Sequence, residues 1–448
     1  MRACVYWLIH MKPRILLINP WIHDFAAYNL WARPLGLLKV AEYLSAFEAD
    51  ILFLDCTDSF KPNAYGIGKY RSEIIVKPDM LRVIPRYYKR YGISTQEFLS
   101  RYKNLVPVGI VLITSIMTYW YPGVQEAIRL VRETTRSVPV VLGGIYPTLY
   151  PQHALACAGA DRIYEGPVNQ GLDRLFHELG LPLSRKRSQV PYYALGLRST
   201  LAAAPILTST GCPFRCSYCA SHLLSPVYGR RPAMDVLEEM KQLFALGIRD
   251  FAFYDDALLL NADSHVKPIL EGVIRAGLSV RLHTPNGLHA RFIDFELADL
   301  MRRSGFITIR LSLETTDSVR QEETGGKVAN SDFERAVRYL KLRGCTKKHI
   351  GAYLLYGLPG QTLEEVAKGI DFLKKLDVRV HLAEFSPIRG TTSWKELVKR
   401  GVISYDLDPL LTNNTVYSYL YSGYDWKELE NLKLAVKQYN GHGQSDGL

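Results

Sequence analysis

The sequence predicts an α/β protein. A doubly wound, Rossmann-like parallel sheet is followed by a partial (β/α)6 barrel and a short helical tail. Three observations predict this. Short, continuously apolar strands alternate with segments of helical spacing through both halves of the chain. Many of these strands end in glycine or polar turn residues. A tight group of three cysteines, Cys212, Cys216 and Cys219, directly follows the first strand of the second half.

In the first half, 14–20 reads as a buried strand ending in a turn, 35–47 as a helix and 50–55 as a second strand. After an interruption at 58–105, strands are expected at 108–115, 138–144 and 160–166, with helices at 124–133 and 170–179. At nearly fifty residues the interruption is too long for a bare loop and is expected to hold helices. Ligands of such sheets sit at the carboxyl ends of the strands, here Asn19-Pro20, Thr114-Ser115, Gly143-Gly144 and Glu165-Gly166. Paired glycines let a bulky ligand approach the backbone, though they also occur in plain turns.

In the second half, strands are expected at 206–209, 250–254, 279–283, 308–312, 350–356 and 380–385, with helices such as 233–245 and 362–376 between them. Six βα units in series make a partial barrel of the TIM type, whose functional groups collect at the carboxyl ends of the strands. The cysteine loop falls at that end. So do Asp255-Asp256, His283, Asn286-Gly287, Glu314 and the segment from Gly351 to Gly360. The domains are then 12–182 with the insertion 58–105, a linker at 183–204, the barrel at 205–400 and a capping segment at 401–448. The tail, with a helix at 427–438, is expected over the barrel mouth, and its last eight residues to be disordered.

The chain has 448 residues, 7 cysteines and a net charge of +11. The first ten residues are weakly apolar and lack a small-residue cleavage site, and Met11 offers an alternative start. No apolar run reaches transmembrane length. The expected location is the cytoplasm, where thiols stay reduced. The basic, tyrosine-rich stretch 86–91 is read as a solvated helix with its aromatic residues on a core, rather than as a grip on RNA or phosphate. Cys345 is read as a packed thiol.

The spacing C-x3-C-x2-C suits three irons of a [4Fe–4S] cube and leaves the fourth iron open. Tetrahedral zinc would want a fourth ligand at matching spacing, and the chain holds no second C-x2-C and no H-x3-H. Buried structural thiols are the plain alternative. Clustered cysteines in a reducing compartment point instead to metal or redox chemistry.

With Tyr218 before its last cysteine, this motif resembles the signature of the radical S-adenosylmethionine (SAM) enzymes, and the expected barrel resembles theirs. The resemblance covers about 205–400. It implies a [4Fe–4S] cluster on Cys212, Cys216 and Cys219, with Tyr218 beside SAM. Asp255 or Asp256, standing where the family has Gly-Gly-Glu, would meet the methionine amino group. Glu314, with Ser312 on the same strand, would touch the ribose. Lys327 would pair with the methionine carboxylate, and Gly357 would pack on adenine.

The doubly wound first half makes the whole resemble the cobalamin-binding members of that family, in which a corrinoid lies at the sheet's carboxyl edge. The corresponding positions are Ser115, Tyr119, Gly143, Gly144, Glu165 and Gly166. The Asp-x-His-x-x-Gly motif that supplies a cobalt ligand in many cobalamin proteins is absent. Trp21 takes the histidine's place, and His23 is offset by two.

The resemblance implies reductive cleavage of SAM to a 5′-deoxyadenosyl radical, coupled through cobalamin to methylation of an unactivated carbon. The substrate would be a small molecule or peptide, and the electron donor a flavodoxin or ferredoxin. Nucleic acid is not expected as a partner. The alternatives are a rearrangement or cyclisation without methyl transfer, a methylthiotransferase, and a cobalamin or redox sensor without turnover. A methylthiotransferase would need three motif-spaced cysteines in the first half. Cys4, Cys56 and Cys157 are not so spaced.

Overall fold

The computed structural model describes residues 12–185, 188–197 and 202–441, so the expectations for the first ten residues and for 442–448 fall outside it. The chain divides into two compact units. One comprises the chain up to residue 200 without 30–32 and 62–68, and the other comprises those two segments with 201 onward.

The strands of the first unit are β1 (Arg14–Asn19), β2 (Ile22–Asp24), β3 (Asp50–Asp55), β4 (Ser72–Ile74), β5 (Lys89–Tyr91), β6 (Ile110–Ile113), β7 (Val140–Leu142) and β8 (Arg162–Ile163). Five of them form a parallel sheet in the order β8-β7-β6-β1-β3. Counted along the sheet's own strands this is the order 2-1-3-4-5, with its switch point between β1 and β6. The strands bury both faces, so they read as unbroken apolar runs: Ile15 to Ile18 are all fully buried. Helices α1 (Leu35–Leu44), α2 (Thr95–Leu105), α3 (Tyr121–Thr134), α4 (Ile145–Leu149), α5 (Pro151–Cys157) and α6 (Gly171–Glu178) complete the unit. Helix α3 buries Tyr121, Val124, Ala127, Ile128 and Val131, the stripe expected of a helix lying on a sheet. Its first turn comes so close to the chain that a Cβ on Gly123 would overlap the Trp21 carbonyl oxygen.

The insertion differs from expectation. It holds one longer helix, α2, but the stretch 86–91 is not helical. Strand β5 is the centre of a three-stranded antiparallel sheet, β2-β5-β4. Arg90 is buried there between Glu126 and Glu73, each at 2.6 Å. The charge is therefore consumed inside the unit, and Tyr88 and Tyr91 are core side chains. The stretch expected as a linker is partly laid on α1: the Val190 amide donates to Ser45 Oγ at 2.7 Å and the Tyr192 amide to Glu42 at 3.2 Å.

The strands of the second unit are β9 (Ala204–Ile206), β10 (Asp250–Phe253), β11 (Arg281–His283), β12 (Leu288–His289), β13 (Phe306–Glu314), β14 (Ile350–Tyr356) and β15 (Arg379–Glu384). They form a parallel sheet, β9-β10-β11-β13-β14-β15, a partial (β/α)6 barrel left open between β9 and β15. The short β12 was not foreseen. Strand β13 is long enough to pair with β11 along its first half and with β12 along its second. The helices include α7 (Ala233–Ala245), α8 (Val266–Arg275), α9 (Phe295–Arg303), α10 (Ser318–Glu323), α11 (Asn330–Leu342) and α12 (Leu363–Lys375). Trp31 belongs to this unit. It stacks on His283 at 4.0 Å between centroids, and its indole N–H donates to the Tyr65 carbonyl.

The barrel region ends on α13 (Thr392–Lys399), and the tail carries α14 (Asn414–Leu420) and α15 (Trp426–Asn440). At the carboxyl ends of β14 and β15 it places Tyr424, whose hydroxyl accepts from the Gly357 amide at 3.0 Å, and Thr415, whose hydroxyl donates to Glu384 at 3.2 Å. Helix α15 also covers the free edge of β15. The Asn440 side chain accepts from the Val380 amide at 3.1 Å and donates to its carbonyl at 2.8 Å, as a neighbouring strand would. Cys345 is buried, as a packed thiol should be. No helix of the described residues is long and apolar enough to cross a membrane.

Because Gly123 leaves no room for a side chain, Gly123→Ala is expected to lower stability by roughly 1–3 kcal/mol. Urea unfolding checks this, and an unchanged midpoint would contradict the packing described.

Candidate active site

The second unit holds a cavity of about 380 Å³ at the carboxyl ends of its strands. It is lined by Cys212, Cys216, Tyr218, Cys219, Asp256, Ser312, Glu314 and Lys327, together with Asn286, His289, Tyr353 and Leu355. Ten of these line it because strands β13 and β14 and the loops after β9, β10 and α10 all end at one mouth.

The cysteine loop is held from two sides. Its start is fixed by Asp255. That buried carboxylate accepts from the Thr208 amide at 3.0 Å, the Ser209 amide at 2.5 Å, and the Thr208 and Ser209 hydroxyls at 2.7 and 2.6 Å. Its middle is fixed by the turn after α10, where the Ser217 amide donates to the Thr324 carbonyl at 3.1 Å. Gly325 makes that approach possible. Its φ is +114°, and a Cβ there would stand 3.1 Å from Cys216 Cα. Cys219 accepts from the Ser221 amide at 3.5 Å, the kind of N–H···S contact that tunes a bound cluster.

The same turn delivers Lys327 into the cavity. Its ammonium donates to Ser312 Oγ at 2.8 Å and Glu314 Oε1 at 3.1 Å. Burial alone would pull its pKa down, but the Glu314 charge and the neighbouring thiols outweigh burial and hold it above the usual lysine value. Burial pushes the Cys216 thiol up to about 11 against the opposing Lys327 charge, and raises Cys212 as well. In the metal-free protein these thiols are protonated, so metal binding must displace protons. Burial, then the nearby Glu314, drives the Tyr218 phenol well above its ordinary range. His289 is neutral: burial, aided by Lys327 and Arg291, depresses it to about 3.

The donor set fits an iron–sulfur cluster. Three free thiols from one loop face a cavity within the size range of small-molecule sites. Carboxylates and an ammonium share its walls, which suits a zwitterion. Two expected residues lie elsewhere. Asp255 is fully occupied by Thr208 and Ser209, so of the two aspartates only Asp256 lines the cavity. Gly357 does not line it, because its amide is taken by Tyr424. Tyr353 and Leu355, on the same strand, line the cavity instead. His289 was missed because a two-residue strand has no readable periodicity.

In the first unit, the loops after β6, β7 and β8 are laced together at the carboxyl edge. The Ile145 amide donates to the Ser115 carbonyl at 2.9 Å, and the Gly166 amide to Thr148 Oγ1 at 3.0 Å. Gly144 sits at φ +95°, and a Cβ there would stand 2.5 Å from the Ser115 carbonyl oxygen. Nothing would meet a Cβ on Gly166, and Glu165 is exposed. This leaves an edge of small residues. Tyr119 is buried with its ring edge-on to Trp120. Trp21, expected beside a corrinoid, is a core side chain. Its indole N–H donates to the Ile93 carbonyl at 2.7 Å, and its ring packs on Phe98. His23 is buried 3.0 Å from the Glu126 carboxylate.

Residues 206–373 match the family profile described as the Radical SAM superfamily. The chain carries a radical SAM domain. Similar proteins extend the likeness. An uncharacterized methyltransferase of Pyrococcus horikoshii is 27% identical over 44% of this chain and 42% of its own length. The hopanoid C-2 methylase of Rhodopseudomonas palustris is 26% identical over 60% of this chain and 54% of its own. The chain thus spans about half the length of these curated relatives. The fold is shared with TsrM from Kitasatospora setae, a radical SAM methyltransferase solved with tryptophan and a SAM analogue bound. The TM-score is 0.64 at 20% identity, covering 87% of this chain and 76% of that one.

Asp255→Asn should destabilise the radical SAM domain by on the order of 2–4 kcal/mol, since it sets an amide N–H₂ against hydrogen-bond donors. Asp256→Asn should change stability by no more than about 0.5 kcal/mol. Paired urea melts test this, and equal effects would contradict the division of roles.

Proposed function

We propose that the protein methylates an unactivated carbon of a small-molecule or peptide substrate, using a [4Fe–4S] cluster, SAM and cobalamin. What supports this reading is that the three cysteines of one loop share a cavity with Asp256, Ser312, Glu314 and Lys327 on a radical SAM domain. The switch-point order of the first unit's sheet and the methyltransferase activities of similar proteins add to it.

Cys212, Cys216 and Cys219 would hold the cluster, and the Ser221 N–H would tune the sulfur of Cys219. Asp256 would take the methionine ammonium, and Lys327 its carboxylate. Lys327 is already paired with Glu314, so SAM would exchange one carboxylate for another at that ammonium and leave Glu314 free to accept from the ribose hydroxyls. Tyr218 and Ser312 would line the same site. Ser115, Tyr119, Gly143, Gly144, Glu165 and Gly166 would form the edge along which cobalamin lies. Neither Trp21 nor His23, in the chain just after β1, would ligate cobalt, since both are buried in other contacts. When bound, the reduced cluster supplies the electron that cleaves SAM to a 5′-deoxyadenosyl radical, and cobalamin supplies the methyl group. The electron comes from a flavodoxin or ferredoxin, and the setting is the cytoplasm. Some relatives are methylthiotransferases, 24% identical over 44% of this chain, but the cysteines of the first unit do not favour that activity here. Of the two described cysteines in the first unit, Cys56 is fully buried and Cys157 is exposed.

Cys216→Ala, reconstituted with iron under anaerobic conditions, is expected to form no 5′-deoxyadenosine from SAM. Wild-type protein should move a labelled methyl group from SAM onto bound cobalamin. SAM cleavage by the variant at the wild-type rate would sink the cluster assignment.

A further inference from the structure

Arg310 lies on β13, two residues before the cavity-lining Ser312. It is 6% exposed, its Nη1 has no hydrogen-bond partner, and no carboxylate among the described residues pairs with it. An uncompensated guanidinium in a protein interior costs several kcal/mol. Such a group is retained where something else completes it.

The surroundings are arranged for an anion. Arg310, Gly351 and Arg379 share one row across β13, β14 and β15, and Ser312, Tyr353 and His381 share the next. Gly351 is the residue that admits both side chains. A Cβ there would stand 2.8 Å from Arg310 Nη1 and 2.6 Å from His381 Nε2, so the two nitrogens lie side by side against the Gly351 backbone in the space a side chain would take. His381 Nε2 is also buried without a partner. Arg379 adds positive charge at the far end of the row. Tyr353 separates this cradle from the cavity. It lines the cavity wall, its hydroxyl donates to the Pro285 carbonyl at 2.6 Å, and its ring lies 5.8 Å from that of His381.

We propose that Arg310 and His381 form a binding site for the carboxylate or phosphate of the substrate, which is therefore an anionic compound whose charged end enters the barrel one row beneath the SAM cavity. The link to the substrate rests on the function proposed above. The planar guanidinium matches either oxyanion with two parallel hydrogen bonds, and the imidazole supplies a third contact. Burial pulls the Arg310 guanidinium down to about 10, and burial with two arginine neighbours holds His381 well below the usual histidine range.

The test titrates the reconstituted full-length protein, without SAM, with inorganic phosphate and separately with acetate at constant ionic strength. Thermal midpoint and the His381 imidazole resonance are followed. A saturable rise in midpoint with a shifted His381 signal is expected for at least one anion, and which anion it is distinguishes phosphate from carboxylate. Arg310→Met should weaken that binding at least about tenfold, yet keep or raise the midpoint of the anion-free protein. Arg310→Lys, which keeps the charge but loses the fork, should fall between, and serves with His381→Leu if the methionine variant does not fold. Equal, unsaturable responses in wild type and variants would overturn the inference. SAM cleavage measured on the same samples separates the two claims. Cleavage without anion binding removes the anion site and leaves the functional reading. Anion binding without cleavage removes the functional reading and leaves the site.

Discussion

The carboxylate of Asp255 gathers two amides and two hydroxyls from the consecutive residues Thr208 and Ser209, and Thr208 Oγ1 in turn meets His265 Nε2 at 2.7 Å. This knot ties the end of β9 to the end of β10 at the point where the chain leaves the sheet for the cysteine loop. Three thiols can share one metal site only if their loop has a fixed take-off. A buried, fully accepted carboxylate provides that fixation more rigidly than an exposed ion pair. The other anchor, the Thr324 carbonyl on the Ser217 amide, also sets the path of Lys327 into the cavity. Loop geometry and cavity charge are therefore set by the same few bonds.

Below this level the barrel interior is graded by charge. Near the mouth, Glu314 and Lys327 neutralise each other. One row farther in, His381 is neutral with its Nε2 buried, and beyond it Arg310 has no counter-charge among the described residues. A zwitterion fits the first level and an anion the second. Glycine shapes both levels by close approach, at Gly325 to Cys216 and at Gly351 to Arg310 and His381.

Much of this was legible in the sequence, for local reasons. The cysteine spacing is a covalent fact of the chain, and the fully apolar strands of both sheets announce burial on two faces. What was not legible depends on registers and partners far away. Asp255 and Asp256 are adjacent, and only the meeting of β9 with β10 decides which one is consumed. Trp21 and Arg90 read as ligand-facing and solvated residues, yet the antiparallel sheet of the insertion buries both. At the edge of β15 the tail uses Asn440, whose side chain imitates a strand, together with Lys433 on Glu384 and Tyr439 on the Val378 carbonyl. Gly357 fell where the barrel's strand ends were expected to be open, and Tyr424, more than sixty residues later, closes that position.

The most direct measurement is a count of metals in protein purified without oxygen in the presence of hydroxocobalamin, taken with its ultraviolet–visible spectrum. The account predicts about four irons and one cobalt per chain, with the iron lost when the three cysteines are replaced. Iron near four without cobalt would contradict the cobalamin mechanism and leave only the radical SAM chemistry. Iron near zero after reconstitution would contradict the account at its root.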